Sequence, residues 1–318
     1  MTLLRSHSIL SASMDNIDES INDSCKLLSI SSPEENNLPG PDAAATQRYS
    51  IPTRESLKID HAIEEEGCRQ IIEALTPQER RDMSDPNLPL RHFRADKGNI
   101  DKAITRAKYA IKWRKEMKVE EMLKAAHNPS TPEESEIRTM LMKEAETGKI
   151  YVRGYDREGR AVMYLYGNRE NTHNDETNIK HLVYAIERMI ACSKRKNFEK
   201  SVLVFDFLGW KLKHACSMAL LKMTIHIVQD CYVERIERIY FANAPSIFNT
   251  FFNMAKVFLD PHTKDKILFV KPRHKDKLER FFDFETCEKC IFGSKDLKEY
   301  NVEDYFSVPL NATFDEDP

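Results

Sequence analysis

Four residues of complementary chemistry stand around one greasy segment of this chain. Glu234, Thr263 and Lys266 bracket the run Ile247–Leu259, and Lys97 lies in the turn Arg94-Ala95-Asp96-Lys97-Gly98-Asn99. Ammonium and hydroxyl groups suit a phosphate ester, and carboxylate and ammonium groups suit a ring of hydroxyls. Taken one at a time, each is an ordinary solvated surface group. Their joint placement beside an apolar helix is what points to a site.

Other chemistry is not signalled. The chain has no G-x-G-x-x-G, P-loop, G-x-S-x-G or H-E-x-x-H pattern. Its nine glycines argue against a loop cradling phosphates. Cys287-Glu-Lys-Cys290 is a lone C-x-x-C with no second ligand pair for zinc and no thioredoxin-like context, so it reads as two ordinary thiols. His226 on an apolar helix reads as a satisfied structural histidine, and Asp206 at a strand end as a hydrogen-bonding one. The expectation is a non-enzyme with no metal and no cofactor.

Composition narrows the class. With 41% hydrophobic residues in 318, the chain can bury a sizeable core in one large or two smaller domains. No run approaches the length of a membrane span, so any membrane contact is expected to be peripheral. A net charge of −3 argues against a nucleic-acid binder relying on phosphate contacts. Seven scattered cysteines and no signal-peptide core suggest reduced thiols in the cytoplasm.

The elements that must position the four residues follow from periodicity. Residues 1–56, rich in Ser, Asn, Asp and Pro, read as a disordered tail. Residues 57–130 read as a helical subdomain, with a capping box at Thr76-Pro77-Gln78-Glu79 and a strong helix from Ile100 to Met117. Another helix starts at Thr131. From 131 to 300 the texture becomes strands alternating with helices: strands at Ile150–Tyr155, Ala161–Tyr166, Ser201–Phe207, Ile236–Phe241 and Ile267–Val270. Helices are expected from Asn174 or Asp175, over Leu212–Val228 and over Lys275–Phe282, with the acidic end, 301–318, as a flexible tail. The fold class is thus α/β, a helical subdomain leaning on a mixed sheet flanked by helices.

The segment Tyr232–Val270 organises the rest: strand, Asn243-Ala244-Pro245 break, a helix capped by Ser246, a turn capped by Asp260, strand. Within Ile247–Leu259 only Asn249, Thr250, Asn253 and Lys256 are polar, and they gather on one stripe. Such a helix is either a core helix or a movable cover over a lipid-sized cavity.

Two stretches, LPLRHFRADKGNIDKAITRAKYAIKWRKEM and YVERIERIYFANAPSIFNTFFNMAKVFLDPHTKDKI, resemble signatures of the CRAL-TRIO family, most closely its phosphatidylinositol transfer subgroup. The resemblance spans about Leu57 to Gly293. It implies a monomeric, cytoplasmic, reversibly membrane-associated carrier that holds one phospholipid, phosphatidylinositol by preference, in a sheet-floored pocket. The helix after Asn243-Ala244-Pro245 would be a gate, with Phe248, Phe251, Phe252 and Phe258 lining the pocket. By motif position Lys97, Glu234, Thr263 and Lys266 would hold the headgroup, and Ser201 would serve phosphatidylcholine. Presentation to a lipid kinase or small GTPase is the regulatory variant; carriage of a sterol, tocopherol or retinoid is the alternative ligand class. The chain departs from the pattern at Asp96, where a basic residue is usual, at Val233, usually proline, and at Ser294, after Phe292-Gly293.

Overall fold

A computed structural model of the protein describes residues 61–314 and 316. The stretch read as a disordered tail and the first residues of the helix begun at Leu57 lie outside the described residues.

Six helices come first: α1 (His61–Ala74), α2 (Pro77–Asp82), α3 (Leu88–Ala95), α4 (Ile100–Glu116), α5 (Val119–His127) and α6 (Pro132–Ala145). Their starts are written in side chains. Thr76 Oγ1 accepts from Glu79 N while the Glu79 carboxylate accepts from Thr76 N, completing the expected capping box. Asn99 and Thr131 cap α4 and α6 with one side-chain bond each, accepting from Lys102 N and Glu134 N. Ile71, Leu75, Leu88, Phe93, Ala103, Ala107 and Ile111 form the core of this helical layer. A Cβ on Gly67 would fall 2.3 Å from the Phe93 ring, so α1 and α3 touch where only glycine fits.

The sheet has five strands in the order β1 (Ile150–Tyr155), β2 (Ala161–Tyr166), β3 (Ser201–Asp206), β4 (Ile236–Ala242) and β5 (Ile267–Phe269). β1 and β2 form an antiparallel hairpin whose turn is held by Asp156 Oδ1, which accepts from the backbone N–H groups of residues 158–160. The remaining pairs are parallel, so each needs a crossover. The β2–β3 crossover is α7 (Asp175–Arg195), capped by Asn174. The β3–β4 crossover contains a 3₁₀ turn (Leu212–His214), α8 (Met218–His226) and a π-helical turn (Ile227–Cys231). The β4–β5 crossover contains α9 (Phe248–Ala255), a 3₁₀ turn (Lys256–Phe258) and α10 (Pro261–Asp265). After β5 come α11 (Lys275–Leu278) and α12 (Val302–Ser307).

Strand register sorts the side chains onto two faces. One face carries Tyr151, Tyr164, Val204 and Tyr240 and is covered by the C-terminal segment: Tyr240 packs on Phe282, and Tyr151 Oη donates to Glu288 at 2.6 Å. The other face carries Phe205, Phe241 and Phe269 in one row across β3, β4 and β5.

Four expectations are corrected. The helix expected over Leu212–Val228 is broken, because Ala215 is extended and Ser217 Oγ accepts from Leu220 N, restarting the helix at Met218. Ser246 caps nothing; Ile247 holds the cap position of α9 with no side-chain bond. The helix expected over Lys275–Phe282 closes at Leu278. The segment after 300, expected loose, packs over residues 301–314: Tyr305, Phe306 and Ala312 are buried, and the buried Arg188 guanidinium donates to Tyr305 O and Ala312 O. A buried guanidinium must find acceptors, and these backbone carbonyls supply them.

Candidate functional site

β4 begins just after Glu234, whose backbone is left-handed at φ +56°. For a glutamate that conformation is strained, and the surroundings hold it: Arg91 Nε donates to Val233 O at 3.1 Å. The Glu234 side chain is 15% exposed and ringed by cations, with Lys200 Nζ at 2.8 Å, His262 Nε2 at 3.0 Å and Lys266 Nζ at 3.8 Å. Burial pushes the carboxyl up, but His262, Lys266 and Lys200 outweigh it and hold it well below the usual carboxylate range. Burial lowers the Lys266 ammonium from its ordinary value, with Glu234 opposing.

Asp260 caps α10 as the sequence indicated. Its two oxygens accept from Thr263 N at 2.8 Å and Thr263 Oγ1 at 2.7 Å. This places the Thr263 hydroxyl and Lys266 on one short turn beside Glu234. Lys97 sits exposed on the α3–α4 turn, with φ +52°, and its contacts do not include Glu234. Asp96 beside it is buried and paired with Arg106 at 2.9 Å and Lys102 at 3.2 Å; its charge is answered locally rather than subtracted from Lys97. Ser201 is fully buried, its Oγ 2.8 Å from Ser193 Oγ, at the junction of β3 and α7.

Next to this polar turn lies the aromatic one. Phe241 stacks edge-on against Phe205 and Phe269, each at 5.3 Å between ring centroids. Phe248 and Phe252, one helical turn apart on α9, close on that row: Phe248 is 5.5 Å from Phe241 and 4.0 Å from Phe207, and Phe252 is 5.3 Å from Phe269. Phe251 reaches Trp210 at 5.8 Å. Phe258 lies past the helix end, with Lys222 Nζ over its ring at 5.1 Å. The helix thus lies shut on the sheet, ring against ring, while Met254 and Val257 face outward, 50% and 68% exposed.

The segment after α9 is clamped by a residue that periodicity did not reveal. Gln229 Nε2 donates to Phe258 O at 3.3 Å, and its Oε1 accepts from Asp260 N at 2.8 Å. Its own carbonyl accepts from Arg106 of α4 at 2.7 Å. The π-helical turn carries Gln229, and such insertions recur at functional positions. His226, one turn earlier, is satisfied by Tyr109 Oη at 2.7 Å and Asp230 Oδ2 at 2.8 Å. Asp206 accepts from Leu208 N and Asn243 Nδ2; both residues have the structural roles expected. Lys200 and His262 were also missed. The only signal for them was adjacency, to Ser201 and Thr263 respectively.

Burial pushes the Cys287 thiol up to about 12 and raises Cys290 as well. A low thiol pKa is what a thiol oxidoreductase needs, and burial here acts in the opposite direction.

A five-stranded mixed sheet with one face covered by an aromatic helix, and a charged turn past the end of that helix, defines an α/β domain with a helical layer before it. The chain belongs to the CRAL/TRIO family, whose domain model matches residues 145–293. It is similar to the Sec14 cytosolic factor of Schizosaccharomyces pombe, 30% identical over 59% of this chain and 68% of that one. It is similar also to the phosphatidylinositol transfer protein PDR17 of Saccharomyces cerevisiae, 29% identical over 58% of this chain and 51% of that one. A CRAL-TRIO domain-containing protein of S. pombe, C23B6.04c, is 30% identical over 68% of this chain, which spans 19% of that longer protein. The crystal structure of Sfh5 shares the fold at a TM-score of 0.53 and 17% identity, covering 78% of this chain and 92% of that one.

Proposed function

We propose that this chain binds a single phospholipid, phosphatidylinositol by preference, and carries it between membranes. The observation that supports this most is the turn around Glu234. A largely enclosed carboxylate, Lys266 and the Thr263 hydroxyl gather just before β4 and β5 begin, and the phenylalanine row crosses the same two strands. A phosphate and a ring of hydroxyls can be bound at one end, and acyl chains at the other once α9 lifts. Moving two acyl chains through water costs ~0.8 kcal/mol per CH₂, so a carrier must offer them a wholly apolar lining. The rings of Phe248, Phe251 and Phe252 fit that requirement, and Lys97 joins the headgroup set by its motif position. The relatives named for phosphatidylinositol transfer are consistent with this ligand.

The test is capture. The chain is incubated with mixed liposomes and repurified, and its bound lipid is identified by mass spectrometry. Inositol lipid is expected. Transfer between donor and acceptor vesicles with no other protein present would establish carriage rather than presentation to a kinase. A second reading, carriage of an apolar molecule, draws on the fact that Thr263 and Lys266 already bond within the protein. Recovery of a sterol or isoprenoid without inositol lipid would establish that reading instead.

A further inference from the structure

The loop that follows β3 presents a second greasy surface beside α9. Leu208 and Leu212 are 66% and 56% exposed, and Lys211 and Lys213 between and after them are exposed as well. Between the two leucines, Trp210 turns inward and packs on Phe248 and Phe251 of α9, at 5.6 and 5.8 Å. The close seat needs a glycine behind it: a Cβ on Gly167 would lie 2.9 Å from Trp210 Cδ1. Both ends of the loop are tied down. Leu208 N donates to Asp206 Oδ1 at 2.9 Å, and Ser217 Oγ, the cap of α8, donates to Asp175 Oδ2 at 3.1 Å. The exposed leucines are therefore held outward by an ordered loop.

Charge says what this surface meets. The whole chain carries −3, yet residues 207–229 contain three lysines and no Asp or Glu, and residues 243–259 contain Lys256 and no Asp or Glu. The carboxylates bordering those stretches are engaged: Asp206 with Leu208 N and Asn243, Asp230 with His226 and Arg106, Asp260 with Thr263, and Asp175, which reaches the loop from α7, with Ser217. Exposed leucines interleaved with lysines, beside a helix showing Met254, Val257 and Lys256, match a bilayer interface bearing negative headgroups.

We propose that the 208–214 loop is an anionic-membrane anchor: Leu208 and Leu212 enter the interface, Lys211 and Lys213 contact acidic headgroups, and Trp210 couples the loop to the closing helix. A movement of the loop toward lipid draws Trp210 away from Phe248 and Phe251, which loosens α9 where a bilayer is present. The proposal rests on the carrier reading for its purpose but not for its test.

The test measures vesicle binding separately from lipid capture. Phosphatidylcholine vesicles are compared with vesicles in which about a third of the lipid is phosphatidylserine. In a Trp113→Phe background Trp210 is the single tryptophan, since the chain has two. Binding to the anionic vesicles, weakened by salt, is expected, with Trp210 emission changing on binding and quenched by brominated acyl chains. Lys211→Gln with Lys213→Gln should weaken anionic binding about thirtyfold at low salt, at one headgroup contact per lysine. Leu208→Ser with Leu212→Ser should weaken it at least about tenfold; both leucines are exposed, so the variant should keep its fold, checked by circular dichroism. Unchanged vesicle binding by the leucine variant, or loss on Ile247→Ser with Val257→Ser alone, overturns the proposal. Vesicle binding through the loop with no lipid captured would sink the carrier reading and leave the anchor standing.

Discussion

At the scale of single residues, Glu234 decides most. It stands in a strained backbone conformation, largely enclosed, with Lys200, Lys266 and His262 turned toward it. Removing its charge leaves two lysines facing each other without an answering carboxylate, so Glu234→Ala should destabilise the fold by about 1–3 kcal/mol in a denaturant titration. Lys266→Met differs in kind: it removes the ammonium proposed to contact the headgroup but keeps the stem packed. Transfer of inositol lipid should fall at least about tenfold while the unfolding midpoint stays close to wild type. Unchanged transfer would strike Lys266 from the site. Glu234, Thr263 and Lys266 were legible from the sequence because the motif fixes their spacing. Lys200 and His262 were not, since nothing in a linear pattern says that the residue before one strand and a residue two turns past a helix point at the same carboxylate.

At the scale of elements, α9 is fastened to the sheet at its face and at its end. Its face is held by Phe248 and Phe252 on the phenylalanine row of β3, β4 and β5. Its end is held by the Gln229 amide, which grips Phe258 O and Asp260 N together. Gln229→Leu keeps the volume and removes both bonds, each worth about 1 kcal/mol. Faster hydrogen exchange at the Asp260 amide and faster lipid exchange are expected, with the far-UV spectrum unchanged. If Asp260 exchange does not rise, the clamp is not what holds that segment. Arg106 donates to the Gln229 carbonyl and pairs with Asp96 and Asp230, so the same variant should reveal whether α4 senses the state of that segment. The sequence marked the break at Asp260-Pro261 but not the clamp, which depends on a π-helical turn that apolar periodicity does not encode.

At the scale of the whole molecule, three enclosed histidines should make stability fall with acid before the carboxylates do. Burial lowers His92 and His127 to about 4 and His181 to about 3. Neither ring nitrogen of His181 has a hydrogen-bond partner in the described structure. In each case the unfolded chain takes up the proton first, near the ordinary histidine value of 6.5. Stability is therefore full above that pH and declines as pH falls toward about 4. Asp85 acts later: burial opposes its ionisation, but Arg91, Arg235 and Lys194 hold it at about 2, so its contribution is lost only below its ordinary 3.8. Urea titrations between pH 7 and 4 should show a declining unfolding free energy, and His181→Leu should reduce that slope by roughly one proton. An identical slope in the variant would show that His181 stays neutral in both states.

The sequence by itself determined the local and the ordered. Capping side chains set the starts of α2, α4, α6 and α7, and alternation and apolar runs set the five strands, because these signals act over a few residues; Glu234, Thr263 and Lys266 were marked by their places in the two ends of one motif. Tertiary structure decided what depends on distant segments meeting. The last fourteen described residues of the continuous chain dock because Arg188, far back in α7, needs their carbonyls; Gln229 reaches the segment after α9, about thirty residues on; and Trp210, between an expected strand and an expected helix, becomes the contact between that loop and α9. Burial turned ordinary histidines into acid-sensitive ones. None of these is a property of a window of sequence, since each arises from which side chains share a low-dielectric interior once the sheet has been ordered and covered.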